Sequence, residues 1–138
     1  MITTPDGYDT FTPRDQEILT DDGQNRPGDC LRAALATIYG LTPLLVPHFA
    51  EFDDWHAGME TWRKGLSYLE VLVGDDWLRL ARLASSLEHH LFVGIGASPR
   101  SGKHAVVYTT VTGEMVHDPH PSRLGIVGAP ESVVVRCW

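Results

Sequence analysis

A chain of 138 residues is the length of one ordinary domain and can bury a single sizeable core without disulfide staples. Its 43% hydrophobic and 21% charged residues exclude disordered and fibrous classes, and a formal net charge of −7 repels a phosphate backbone, so nucleic acid is not an expected partner. No apolar run approaches the roughly 18 residues of a spanning helix and no leader-like start precedes a cleavage site, so no membrane partner is expected and the chain reads as cytoplasmic.

Residues 1–28 carry Asp6, Gly7, Pro13, Asp21, Asp22, Gly23, Pro27 and Gly28 with little apolar periodicity, and read as an arm and loop ordered only by docking. Leu31, Ala34, Leu35 and Ile38 then recur at the spacing of one helical face, with Asp29 at the N-cap position and Gly40 as a left-handed stop. A second helix is expected over 55–64, where Trp55, Met59 and Trp62 share a face, while 67–73 suits either strand or helix. An amphipathic helix follows over 76–89, with Leu80, Leu83, Ala84 and Leu87 on its inner side. Beyond it, 91–95, 103–111, 114–117 and 132–137 read as short strands between Gly, Pro and Ser clusters. The last of them, with Val133, Val134 and Val135, suits a buried strand or an edge that pairs with another copy. Helices first and antiparallel strands afterwards give the α+β class, with an N-terminal helical layer on one face of a C-terminal sheet, in a single domain over 1–138.

Only two cysteines occur, Cys30 and Cys137, and their spacing fits neither a disulfide framework nor a zinc set. Cys30 falls in the first turn of the first expected helix, where unpaired N–H groups and the macrodipole favour a thiolate; a small buried hydrophobe is the plain alternative. A thiolate nucleophile needs a base, and among seven histidines His104 stands out because it introduces the most strand-like run, Ala105 to Thr109. A hairpin loop of Val111, Thr112 and Gly113, with the glycine left-handed, pairs Thr110 with Glu114 and brings Asp118 opposite Val106. Asp118 and His104 then lie diagonally on one face, about 7 Å apart at the backbone, within reach of a carboxylate–imidazole hydrogen bond. Asp118 before Pro119 is also an ordinary turn former.

Other motifs lead elsewhere. His117 and His120 flank Asp118, but no third ligand at a recognisable spacing accompanies them, so no metal is expected. The run from Gly96 to Lys103 resembles a phosphate-binding loop, yet it has one residue too many and places His104 where Ser or Thr would hold magnesium. It reads instead as a mobile loop bordering a cleft, with Arg100 and Lys103 placed to hold an acidic group of a substrate. Trp62 and Trp77 are expected in the core, and His48 and His56 at the surface.

Gln24, then Asp29-Cys30 opening a small-residue helix, then Lys103-His104-Ala105-Val106-Val107, then His117-Asp118-Pro119 repeat the order of papain-like cysteine peptidases. In detail the chain resembles the peptidase domains of bacteriocin-processing ABC transporters, in which a glutamine lies six residues before an Asp-Cys pair. It departs from them at Leu31, where glycine is usual, and at Arg32, which brings a charge near the site. The resemblance covers about 24–40 and 92–119. It implies a papain-like fold, a Cys30-His104-Asp118 triad, and an oxyanion hole made by the Gln24 amide and the Cys30 N–H. It further implies an amide hydrolase without cofactor, acting on a protein or peptide. Deamidation or acyl transfer to an amine by the same triad is a second possibility, and a non-catalytic binding or inhibitor module of this fold is the alternative to an enzyme.

Overall fold

The computed structural model describes residues 2–3, 10–17, 28–48, 68–72, 76–84, 90–100 and 102–136. Cys30–Tyr39 form helix α1. Alanine favours the helix and adds little bulk, so Ala33, Ala34 and Ala36 are buried beside Leu35 and Ile38 and the helix packs close to the sheet. Gly40 stops it at a left-handed φ of 67°, its N–H returning to the Thr37 carbonyl at 3.4 Å. At the other end Asp29 holds the N-cap position without a side-chain capping bond. Its carbonyl accepts the Ala33 N–H at 3.1 Å, and its buried carboxylate lies 3.9 Å from the Arg32 guanidinium.

Strands β1 (Ile2–Thr3) and β2 (Thr10–Phe11) form a small ladder of their own. The main sheet contains β3 (Tyr68–Leu72), β4 (Leu91–Ala97), β5 (Lys103–Thr109), β6 (Met115–His117) and β7 (Val127–Arg136). Its order is β3-β7-β4-β5-β6 with every neighbouring pair antiparallel, so the chain is α+β. The segment that suited either strand or helix is thus a strand. Helix α2 spans Trp77–Ala84. The helix expected over 55–64 lies outside the described residues, as do Trp62 and His56. No helix among the described residues is long and apolar enough to cross a membrane.

The helices do not form one layer. Leu91, Val93, Ala105, Val107 and Val134 pack with Leu35 and Ile38 of α1. The alternate positions Phe92, Val106, Tyr108, Val133 and Val135 pack with Trp77, Leu78 and Ala81 of α2. Side chains alternate across a strand, so α1 and α2 cover opposite faces. Coverage of both faces explains why the central strands read as unbroken apolar runs. It also decides between the two expectations for Val133, Val134 and Val135. They are 0% exposed, in a strand paired on both sides by β3 and β4.

Strand β7 begins at Val127, before the expected start at 132, because an irregularity absorbs the residues that read as a turn. Val127 pairs with Ala97, and the next pair is Ser132 with Ile95. Among the described residues β3 pairs with β7 only over Ser132 to Arg136, so Pro130, which has no N–H to donate, lies outside that ladder.

Residues 10–17 of the arm cross α1 and the segment after β6. Phe11 is buried in the α1-side core. The Arg14 N–H donates to Thr37 Oγ1 at 3.1 Å and the Gln16 N–H to the Pro119 carbonyl at 3.1 Å. His48, expected at the surface, is 5% exposed in the segment after α1.

Candidate active site

Three elements meet at one end of the sheet. Cys30 is the first residue of α1, where an N–H has no acceptor one turn back within the helix. His104 is the second residue of β5, opposite Gly96 of β4, and is 4% exposed. Asp118 follows β6 and is 1% exposed.

The hairpin reaches the expected register by a different route. Thr109, rather than Thr110, stands opposite Glu114, donating its N–H to the Glu114 carbonyl at 3.0 Å. The Gly113 N–H returns to the Thr109 carbonyl at 3.0 Å, with Gly113 at the expected left-handed φ of 78°. Met115 therefore pairs with Tyr108, but the next pair is His117 with Val107, leaving Val116 as an inserted residue. That insertion restores the offset at which Asp118 follows opposite Val106. Without it, Asp118 would turn away from His104.

Asp118 is held from several sides. His104 Nε2 donates to Asp118 Oδ1 at 2.6 Å, and the His120 N–H donates to the same oxygen at 2.9 Å. The Gly125 N–H donates to Oδ2 at 2.7 Å, and Arg123 donates to the Asp118 carbonyl. Arg123 also grips Asp15 of the arm at 2.6 and 2.9 Å. Burial by itself would raise the Asp118 carboxyl, but the hydrogen bonds from His104, His120 and Gly125 outweigh it and hold it below the ordinary carboxylate value.

The Cys30 thiol lies near enough to the His104 ring to favour its protonated form. With Nε2 on Asp118, the nitrogen left for the sulfur is Nδ1. Burial opposes a charged ring, but the hydrogen bonds and charges of Asp118 and Cys30 prevail and push His104 from 6.5 up to about 9. A ring protonated near neutrality beside a thiol can stabilise a thiolate and later give its proton to a leaving group.

Gln24 lies outside the described residues. Arg100 and Lys103 are near the site but already engaged by the protein. Lys103 Nζ donates to both Glu131 carboxylate oxygens at 2.7 and 2.5 Å, and Arg100 Nη1 donates to Ser122 Oγ at 3.0 Å. The loop carrying Arg100 is closed by internal bonds from the Ser98 N–H to the Gly102 carbonyl at 2.9 Å and from the Arg100 N–H to Ser98 Oγ at 3.1 Å. His117 and His120 face different partners: His117 Nε2 donates to the Arg14 carbonyl at 2.8 Å, and His120 meets Ser122 at 2.9 Å. Among the described residues no group of three or more His, Cys, Asp or Glu side chains could hold a metal ion.

The backbone donors of His120 and Gly125 escaped the sequence reading. The bond from His120 had a signal in the habit of Asp side chains of capturing the N–H two residues on. The bond from Gly125 had none, since every non-proline residue carries the same donor. No protein-family model, curated protein or solved structure matches this chain.

Proposed function

We propose that the chain is a papain-like cysteine hydrolase that cleaves an amide bond of a protein or peptide, with Cys30 as nucleophile, His104 as base and acid, and Asp118 as the residue that orients the histidine. The observation that carries this reading is the buried His104 ring, bonded through Nε2 to the buried Asp118 carboxylate at 2.6 Å, with the Cys30 thiol near enough to favour the protonated ring. A thiol at a helix start, a histidine entering a strand and a carboxylate after the next strand support the papain-like assignment. The α1 helix lying against an antiparallel sheet supports it too.

In the first step the Cys30 thiolate forms a carbon–sulfur bond to the scissile carbonyl carbon. The carbonyl electron pair moves to oxygen, where the Cys30 N–H and, by the resemblance, the Gln24 amide receive it. As the oxygen pair returns, the carbon–nitrogen bond breaks and the departing nitrogen takes the Nδ1 proton of His104. Water then attacks the thioester while Nδ1 accepts its proton, and carbon–sulfur cleavage regenerates the thiolate. Asp118 keeps Nε2 protonated and the ring aimed throughout. No step calls for a metal or an organic cofactor.

The test is iodoacetamide alkylation of Cys30 with Cys137→Ser in the background, in native protein and in His104→Ala. Native Cys30 should react readily well below the roughly pH 8.5 at which a free thiol ionises, and should lose that reactivity in the variant. Equal, ordinary thiol behaviour in both would sink the hydrolase reading.

A further inference from the structure

Asp118 fixes one atom of the His104 ring, and a ring held at one atom can still pivot about that bond. A second ring limits the pivot. His120 lies with its centroid 6.2 Å from that of His104 and its plane at 86°, an edge-to-face contact, and is 8% exposed. His120 is itself tied. The Ser122 N–H reaches its Nδ1 at 3.0 Å and Ser122 Oγ lies 2.9 Å from the same nitrogen. A backbone N–H can only donate, so Nδ1 is an acceptor and the proton of the neutral ring sits on Nε2. Ser122 Oγ in turn accepts from Arg100 Nη1 at 3.0 Å.

We propose that His120 is a positioning residue for the hydrolase: its ring, held in one tautomer and one orientation by Ser122 and Arg100, braces His104 so that Nε2 stays on Asp118 while Nδ1 faces Cys30. The inference rests on the triad reading and adds to it a role for side chains which that reading leaves idle. It also gives Arg100 a different job from the substrate contact expected of it, as the outer end of a tether running through Ser122 to His120. Among the described residues the groups placed against the His104 ring are then Asp118 and the His120 ring, both from the segment after β6, and Cys30 from α1. A misplacement of about 1 Å at such a site costs on the order of a hundredfold in rate, so a brace on the base has work to do even though it touches no substrate.

Two substitutions separate bracing from mere support of the turn. His120→Asn keeps an oxygen able to accept the Ser122 N–H but removes the ring body. His120→Phe keeps a ring edge against His104 and gives up the acceptor. Cys30 alkylation near pH 7 should slow roughly tenfold to a hundredfold in the Asn variant and only several-fold in the Phe variant, which keeps the ring body but loses its tie to Ser122. The His104 Nε2–H resonance in proton NMR should broaden in the Asn variant and persist in the Phe variant. Native-like reactivity in His120→Asn, or a larger loss in His120→Phe, overturns the proposal.

If His120→Asn fails to fold, Ser122→Ala decides, because that exposed side chain can go while its N–H remains. Several-fold slowing supports the tether and an unchanged rate refutes it. His104→Ala, run alongside, tells the two ideas apart. If it alkylates like native protein, the triad reading itself has failed. If it loses reactivity while His120→Asn does not, only the brace has.

Discussion

The two ends of β5 are held by different physics. Toward its C-terminus Val106, Val107 and Tyr108 are buried, and on the α2 face Tyr108 joins Phe92 and Trp77 in a cluster with ring centroids 5.3 to 6.2 Å apart. Toward its N-terminus His104 is held by a carboxylate, and the carboxylate by backbone donors from a loop. Packing at the first end is a sum of many non-directional contacts, so its worth is area and shape. At the second end a few directional bonds each depend on one atom. Stability should therefore concentrate at the aromatic end and reactivity at the polar end, and each should be separable from the other.

The largest expected effect breaks the aromatic end. Phe92 is fully buried between Trp77 and Tyr108, and Phe92→Ala should cost about 3–5 kcal/mol through lost transfer energy and the cavity left behind. Urea unfolding measures that loss, and Cys30 alkylation per folded molecule should stay within about twofold of native. A parallel drop in alkylation would show that the two ends are coupled.

A smaller effect belongs to the polar end and depends on pH. His104 is raised from 6.5 to about 9, so its contribution is fully present below about pH 6.5 and is lost as pH rises through about 9. That shift corresponds to at most about 3 kcal/mol. Asp118 is lowered, so its contribution is present above its ordinary value of 3.8 and is lost as pH falls through the depressed one. Unfolding free energy should accordingly be highest between those limits and decline on the alkaline side. In His104→Gln the alkaline decline between about pH 6.5 and about pH 9 should disappear, and its persistence would mean that another group carries it.

The same contrast explains what could be read in the sequence. Alanine, leucine and isoleucine at helical spacing located α1, and β-branched runs located β4 and β5, because burial imposes periodicity on residue type. The glycines at 40 and 113 announced left-handed turns that the chain adopts. Hydrophobic pattern does not say which face of a sheet a helix will cover, so the placement of α2 opposite α1 was not legible. The inserted Val116 was hidden as well, since a bulge depends on how two strands accommodate each other. The candidate site was legible as residue types, a thiol at a helix start and a histidine entering a strand. What holds Asp118 was not, because backbone N–H groups leave no mark in a sequence. His48 shows the complementary error, in which a polar residue was assigned to the surface and is instead buried, while Asp29 holds the expected N-cap position without the side-chain bond that usually marks it.

The smallest effect sharpens the comparison at the outer edge of the polar end. Arg123 ties the arm to the Asp118 segment, but it does so from a left-handed backbone with φ of 55°. Its bonds to Asp15 join two half-exposed side chains, a class of pair worth up to about 1 kcal/mol, while a non-glycine residue in that backbone region stores about 1 kcal/mol of strain. Arg123→Ala loses the guanidinium and keeps the strain. Arg123→Gly loses the guanidinium and relieves it. The glycine variant should therefore unfold with a free energy about 1 kcal/mol above that of the alanine variant, measured in urea. Both lack the bond to the Asp118 carbonyl, so both should show the same modest slowing of Cys30 alkylation. Stability differing while reactivity does not would place the strain in the backbone and the chemical role in the guanidinium. Equal stabilities would mean the turn relaxes once the arm is released.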